Sequence, residues 1–240
     1  TSGEQLSVIL KGIVSGVEQE NPSMLCSILL LNDAGKNLVS VVAPSLPDFY
    51  NAAIDGIEIG IGAGSCGTSA FTNERVIVDD IANHPYWTPY KELAKKAVLG
   101  ACWSEPIRST QGKVLGTFAI YHRDKHQPTA ANISLIEQTA YLASIAIEQA
   151  QTNLALHSKE QRFNQLLQSI PSVSVQGYDY EGNTRYWNKA SENLYGYTAE
   201  EAIGQTIFDL IIPPAMRHGV RDAMQQMLKS KQPIPSGELT

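Results

Sequence analysis

Cysteine is scarce in this sequence: Cys26, Cys66 and Cys102 are the only three among 240 residues, and no two of them stand in a CxxC spacing. An odd count without a framework excludes a disulfide-stapled scaffold and fits a reducing compartment, so a cytoplasmic location is expected. Clustered basic charge is lacking too. Lys and Arg number 18 against 24 Asp and Glu, a net charge of -6, whereas a nucleic-acid partner needs a concentrated basic face to neutralise phosphates. The densest group, Lys91, Lys95 and Lys96, is diluted by Glu92 and reads as a solvated helix face. No apolar run nears the roughly 20 residues of a membrane helix, and no basic stretch followed by an apolar one opens the chain as a signal peptide would. Repeats of fixed period and low-complexity tracts are missing. The chain starts at Thr1 without an initiator methionine, and it reads as a piece cut from something longer.

What is present suffices for ordinary cores: 43% of residues are hydrophobic and 18% charged, and the length sets two domains as the prior. Leu6, Leu10, Ile13 and Val17 put one apolar stripe on an opening helix that Asn21-Pro22 ends. The apolar run 24–31, the turn residues Asn32-Asp33-Ala34-Gly35 and the run 38–43 predict a hairpin. Residues 46–72 are glycine-rich and read as irregular, closing in a short helix over SCGTSAF. Val76-Ile77-Val78 makes a short strand, a loop and helix occupy 82–97, and 101–107 with 114–121 form a second hairpin around Thr110-Gln111-Gly112. Connections this short favour an antiparallel sheet flanked by helices, an α+β order.

The segment 129–157 carries two apolar seams. Ile133, Ile136, Ala140, Ala143, Ile147, Ala150 and Leu154 follow a three-four spacing, while Leu135, Leu142, Leu156, Phe163 and Ile170 fall at multiples of seven. One seam can pack on the sheet and the other is left for a partner helix. This predicts a parallel homodimer through the helices near 4–19 and 129–157, with the rod linking two domains; the competing reading buries the whole helix in one protomer. Pro171 stops the rod, and a new strand pattern from Val173 turns at Tyr180-Glu181-Gly182-Asn183 into Thr184–Trp187. After Pro235-Ser236-Gly237 the chain ends where a sheet would need more strands.

The blocks GAGSCGTSAF, RVIVDDI, ACWSEPI and GKVLGTFAIY, in that order and spacing, resemble a GAF domain of bacterial sensor proteins over residues 1–157. NTRYWNKASENLYGYTAEEAIGQTIFDLIIPP, at 183–214, resembles the early half of a PAS domain, here 158–240 without its C-terminal strands. The resemblance implies a sensory module upstream of a histidine kinase or of a domain that makes or degrades cyclic dinucleotides, with an output domain in the same polypeptide. No kinase ATP-binding pattern and no GGDEF or EAL motif is found in the sequence, so an enzyme is not expected within this fragment. Neither the cyclic-nucleotide signature nor the Cys-His pair that attaches a bilin occurs, and neither cofactor is assigned.

The glycines around Ser65 and Cys66 precede a short helix, where exposed N–H groups can meet a ligand; equally, glycine permits a tight turn. The candidate ligand-binding set is Gly64, Ser65, Cys66, Phe71, Asp80, His84, Trp87, Trp103 and Phe118, the aromatics among them offering stacking surface. Asp79 and Asp80, adjacent at a strand end, point to opposite faces; one is expected to cap a helix near Ile81 and the other to face the cavity. Cys66 and Cys102 would form a redox pair if brought close, which leaves a thiol-dependent reductase as the enzymatic alternative and a ligand-free dimerisation module as the structural one. His122 and His126 have helical ligand spacing but follow a strand between Arg123 and Lys125, and no metal is assigned.

Overall fold

A computed structural model describes residues 2–170 and 172–232. The expected stop at Pro171 and the segment Pro235–Gly237 lie outside the described residues. The described chain divides into two compact units, Thr1–Ala155 and Leu156–Thr240, taken in turn below.

The first unit opens with α1 (Ser2–Glu20), then the strands β1 (Leu25–Leu31) and β2 (Asn37–Val42), α2 (Asp48–Ile54) and the two-residue β3 (Ile57–Glu58). There follow α3 (Gly64–Thr72), β4 (Val76–Val78), a 3₁₀ turn at Pro85–Tyr90, α4 (Lys91–Lys96), β5 (Ala101–Arg108), β6 (Val114–His122) and α5 (Ala130–Ser169). The strands form one six-stranded sheet in the order β3-β2-β1-β6-β5-β4, antiparallel at every pairing. Both expected hairpins are in place, their turns closed where glycine takes a positive φ: Gly35 at 68° and Gly112 at 79°.

Three features depart from the sequence reading. Residues 46–72 are more regular than expected, because α2 and β3 occupy part of them. No helix begins at Ile81; residues 81–83 are a turn, and the regular structure in 82–97 is the 3₁₀ turn followed by α4. The long helix runs beyond the segment 129–157 to Ser169, just short of Pro171 where the rod was expected to stop, since the stretch 158–169 has neither Gly nor Pro to break it.

Strand alternation sorts the core into two layers. On one face Cys26, Ile28, Trp103, Phe118 and Ile120 pack against Leu10 and Val14 of α1 and Ile136, Ala140, Ala143 and Ile147 of α5. On the other, Leu29, Leu38, Cys102, Ala119 and Tyr121 pack beneath α2, α3 and the 3₁₀ turn, with Tyr50, Ala70 and Trp87. Gly116 lets β1 and β6 approach, since a Cβ there would stand 2.2 Å from the Leu29 carbonyl oxygen. In the second apolar seam of α5, Leu135 packs against the core, while Leu142 is 55% exposed, Leu156 55% and Phe163 61%.

In the second unit β7 (Gln176–Tyr178) pairs with β8 (Thr184–Trp187). Around them lie α6 (Lys189–Tyr195), α7 (Ala199–Ala202), α8 (Ile207–Leu210), a 3₁₀ turn and α9 (Arg217–Ser230). Its helices start on named caps. Asn188 accepts from the Ser191 N–H, and Thr198 with Glu201 makes a capping box. Asn188 is fully buried; its amide donates to the Leu167 and Val173 carbonyls while its oxygen accepts from the Val175 N–H. Trp187 is core, donating its indole N–H to the Tyr197 carbonyl at 3.0 Å. No helix among the described residues is long and apolar enough to cross a membrane.

Candidate functional site

The glycine-rich segment delivers α3 onto the sheet with its first turn pressed against the β5–β6 pair. Gly62 and Gly64 hold φ of 89° and 63°, which side chains disfavour, and a Cβ on Gly67 would come within 2.6 Å of the Ala63 Cβ. That closeness is what places Ser65 and Cys66 in the core. Ser65, fully buried, donates to the Cys102 carbonyl at 3.1 Å and accepts the Trp87 indole N–H at 3.0 Å. A cavity of about 30 Å³ lies here, bounded among others by Leu29, Tyr50, Gly64, Cys66, Trp87 and Tyr121. Space of this size holds a water or a molecule of a few heavy atoms, well below the several hundred Å³ of a drug-sized site.

Beside the cavity the sheet face turns polar. The Cys66 sulfur lies 3.6 Å from the Tyr121 hydroxyl, to which Ser27 donates at 3.3 Å. The neighbouring Cys102 is the leading influence that lowers the Cys66 thiol from its ordinary value. Burial, followed by the influence of Cys66, pushes the Cys102 thiol well up. Ser104 and Thr117 are fully buried, and their hydroxyls have no hydrogen-bond partner among the described residues.

A scan against protein-family models matches a GAF domain over residues 4–148 and a PAS fold over residues 161–240. The chain belongs to the GAF domain family. The methyl sulfide methyltransferase-associated sensor of Methanosarcina acetivorans is 36% identical over 229 residues, covering 94% of this chain and 22% of that protein. The chain thus spans about a fifth of the length of this curated relative. Among solved structures, a domain of a two-component sensor histidine kinase protein from Sinorhizobium meliloti superposes with a TM-score of 0.51 at 19% identity, over 62% of this chain and 94% of that one. The E. coli DhaR(N)-DhaL complex gives 0.53 at 20% identity, over 96% of this chain and 74% of that one. At such identities the two structures speak for the fold alone.

Within the GAF domain, the residues singled out from sequence separate into groups. Gly64, Ser65, Cys66 and Trp87 meet at the cavity. Trp103 and Phe118 do not: both lie on the opposite sheet face, in the layer under α1 and α5. Phe71 is 55% exposed on α3. Asp80 is held by Lys125 and Asn83 rather than capping a helix, contacts that depress its carboxyl. Asp79 accepts from the Gln127 amide, and His84 caps the 3₁₀ turn by accepting the Tyr86 N–H. Sequence reasoning left out Tyr121, Ser27, Ser104 and Thr117; a strand whose buried residues are Ser, Thr, Cys and Tyr on one parity and Ile, Phe and Trp on the other was the available signal.

Two further clusters surround this core. The far end of α3 reaches the sheet edge, where Ser69 donates to the Glu74 carbonyl. Next to it Arg75 pairs with buried Glu105 on β5 and with Glu137 on α5, and Arg108 joins Glu105 to the Asn73 side chain. On the helical face the rings of His122 and His126 stack at 4.1 Å, both against Trp103. Burial, then His126, brings His122 down to about 4. No group of three or more candidate metal ligands occurs among the described residues.

Proposed function

We propose that this chain is the sensory region of a signal-transduction protein, cytoplasmic, in which a small molecule bound beside Cys66 biases how α3 packs on the sheet. The observation that carries the reading is a cavity whose wall includes the first turn of α3, while the other end of that helix adjoins the Arg75 pairs to β5 and α5. A shift of α3 therefore acts on the helix that leaves the domain. A ligand moves such an equilibrium only by its differential affinity for the two packings. The relay is completed by a parallel homodimer through α1 and α5. In favour stand the exposed heptad positions Leu142, Leu156 and Phe163 on α5, and Val8 at 71% exposure on α1. The output is a histidine kinase or a cyclic-dinucleotide enzyme in the same polypeptide, and the fragment itself does no catalysis.

Sedimentation equilibrium of the chain tests the assembly. A dimer is expected, and Leu156→Glu with Phe163→Glu should shift it to monomer. A thermal-shift series with probes of two to four heavy atoms tests the site. A monomer that no probe stabilises would sink the proposal, and a dimer that ignores every probe would leave a structural dimerisation module.

A further inference from the structure

We infer that Cys66 and Cys102 form a peroxide-responsive dithiol, in which Cys66 is oxidised from the cavity and Cys102 closes a disulfide onto it from behind. This names the chemical input to the site proposed above and rests on that reading of the cavity.

Four observations carry it. Cys66 is partly exposed and lines the cavity, whereas Cys102 is fully buried and does not; the two nevertheless adjoin, because Ser65, next to Cys66 in the chain, donates to the Cys102 carbonyl at 3.1 Å. One sulfur therefore meets the small molecule, and the other waits on its far side. The cavity volume, about 30 Å³, suits hydrogen peroxide and excludes bulkier oxidants. The surroundings are polar where a closed apolar core would be cheaper: the Tyr121 hydroxyl lies 3.6 Å from the sulfur, and the buried Ser104 and Thr117 hydroxyls have no hydrogen-bond partner among the described residues. The third cysteine, Cys26, lies on the opposite sheet face under α1, where burial pushes its thiol up, so it takes no part.

The chemistry balances with the peroxide as oxidant. The Cys66 thiolate attacks one peroxide oxygen, the O–O bond breaks, and Cys66 sulfenic acid forms with hydroxide, which takes up a proton as water. With the sulfenic oxygen in the cavity, the attacking thiol is Cys102, which does not line that cavity. Its sulfur attacks the Cys66 sulfur, the S–O bond breaks, and the hydroxide leaves with the Cys102 proton as a second water. Two thiols are oxidised and one peroxide is reduced. Cys102 beside it holds the Cys66 thiol below its ordinary value, which raises the thiolate fraction that attacks the peroxide.

The test treats the full chain with one equivalent of hydrogen peroxide, followed by thiol counting in denaturant and peptide mapping without reductant. Free thiols should fall from three to one, with a Cys66–Cys102 linked peptide and Cys26 free. Cys102→Ser and Cys102→Ala should each stop at a sulfenic acid on Cys66 that dimedone traps, and Cys66→Ser should leave the other thiols intact, with circular dichroism confirming that each variant is folded. Three surviving thiols, a disulfide through Cys26, or Cys66 driven to sulfinic acid beside a free Cys102 would overturn the inference. Closure with no change in the dimer or in α5 would keep it and remove the relay; a relay answering another small molecule without closure would do the reverse.

Discussion

Acidification should weaken the GAF domain through one residue, His122. Its ring is 5% exposed, stacked on His126 and tilted against Trp103 at 4.7 Å, and its Nε2 has no hydrogen-bond partner among the described residues. Burial first and His126 second lower it from 6.5 to about 4 in the fold, so the native state holds it neutral. Above pH 6.5 neither state binds the proton and the residue is without effect. As pH falls from 6.5 toward 4 the unfolded chain charges and the folded one does not, so stability is lost across that window and levels off below it. At about 1.4 kcal/mol per unit the full shift is worth about 3 kcal/mol, and solvent reaching the outer ring reduces this to about 2. The assay is urea unfolding followed by tryptophan fluorescence, at half-unit steps from pH 7.5 to 4, on the protein and on His122→Phe. Phenylalanine keeps the aromatic stack and removes the titration. Carboxylates titrate alike in both proteins, so the difference isolates His122. A difference that stays flat from pH 7 to 4 would refute the argument, because it would mean the folded ring charges as readily as the unfolded one.

Other perturbations have equally specific outcomes. Trp87→Phe removes the indole donor to Ser65 and leaves space beside the cavity, and should cost about 1–3 kcal/mol in urea unfolding. Arg75→Ala takes one of two arginines from buried Glu105 and should destabilise by about 1–3 kcal/mol; because Glu105 is shielded, added salt should recover little of it. Gly116→Ala forces a Cβ onto the Leu29 carbonyl and should part β1 from β6, visible as lost hydrogen-exchange protection in both strands. Asn188→Ala removes the α6 cap and leaves the Leu167 and Val173 carbonyls without their donor, and should cost about 3 kcal/mol or more. Exchange should then rise across β7, β8 and α6 while β5 and β6 stay protected.

Much of the fold was legible because the relevant signals are local. A period of two, a turn built on Gly35 or Gly112, and apolar runs of strand length fix a hairpin without knowledge of its partner. The rod was legible for the opposite reason: length. Forty residues from Ala130 to Ser169 give periodicity room to be read. Its stop was legible in Pro171, two residues past the last helical position, Ser169, whereas the boundary at 157 was not, because residues 158–166 are exposed and nothing in them marks a domain boundary. Helix α2, only seven residues long behind Pro47, is shorter than two turns and carries no measurable period. The turn at 81–83 looked like a helix start because Asp80 resembles a cap, but its carboxylate is engaged by Lys125, forty-odd residues away in the chain, and no local rule sees that.

The candidate site was half legible, and the missed half follows from parity. Cys102 and Trp103 are neighbours on β5, so their side chains leave the sheet on opposite faces; both cannot line one cavity. The register makes the choice: Cys102 lies opposite Tyr121, and Trp103 opposite Ile120. One face of β5 and β6 therefore gathers Cys102, Ser104, Thr117, Ala119 and Tyr121, and the other gathers Trp103, Phe118 and Ile120. An apolar face needs no explanation under two helices. A buried face of hydroxyls and thiols does, because each such group loses water and must find a partner or a use. Trp103 and Phe118 drew attention as stacking surface, yet they sit on the face that merely packs. Alternation alone would have assigned the small polar residues to a common surface with Cys102, and the contact that brings Cys66 to that surface, Ser65 to the Cys102 carbonyl, joins residues 37 apart.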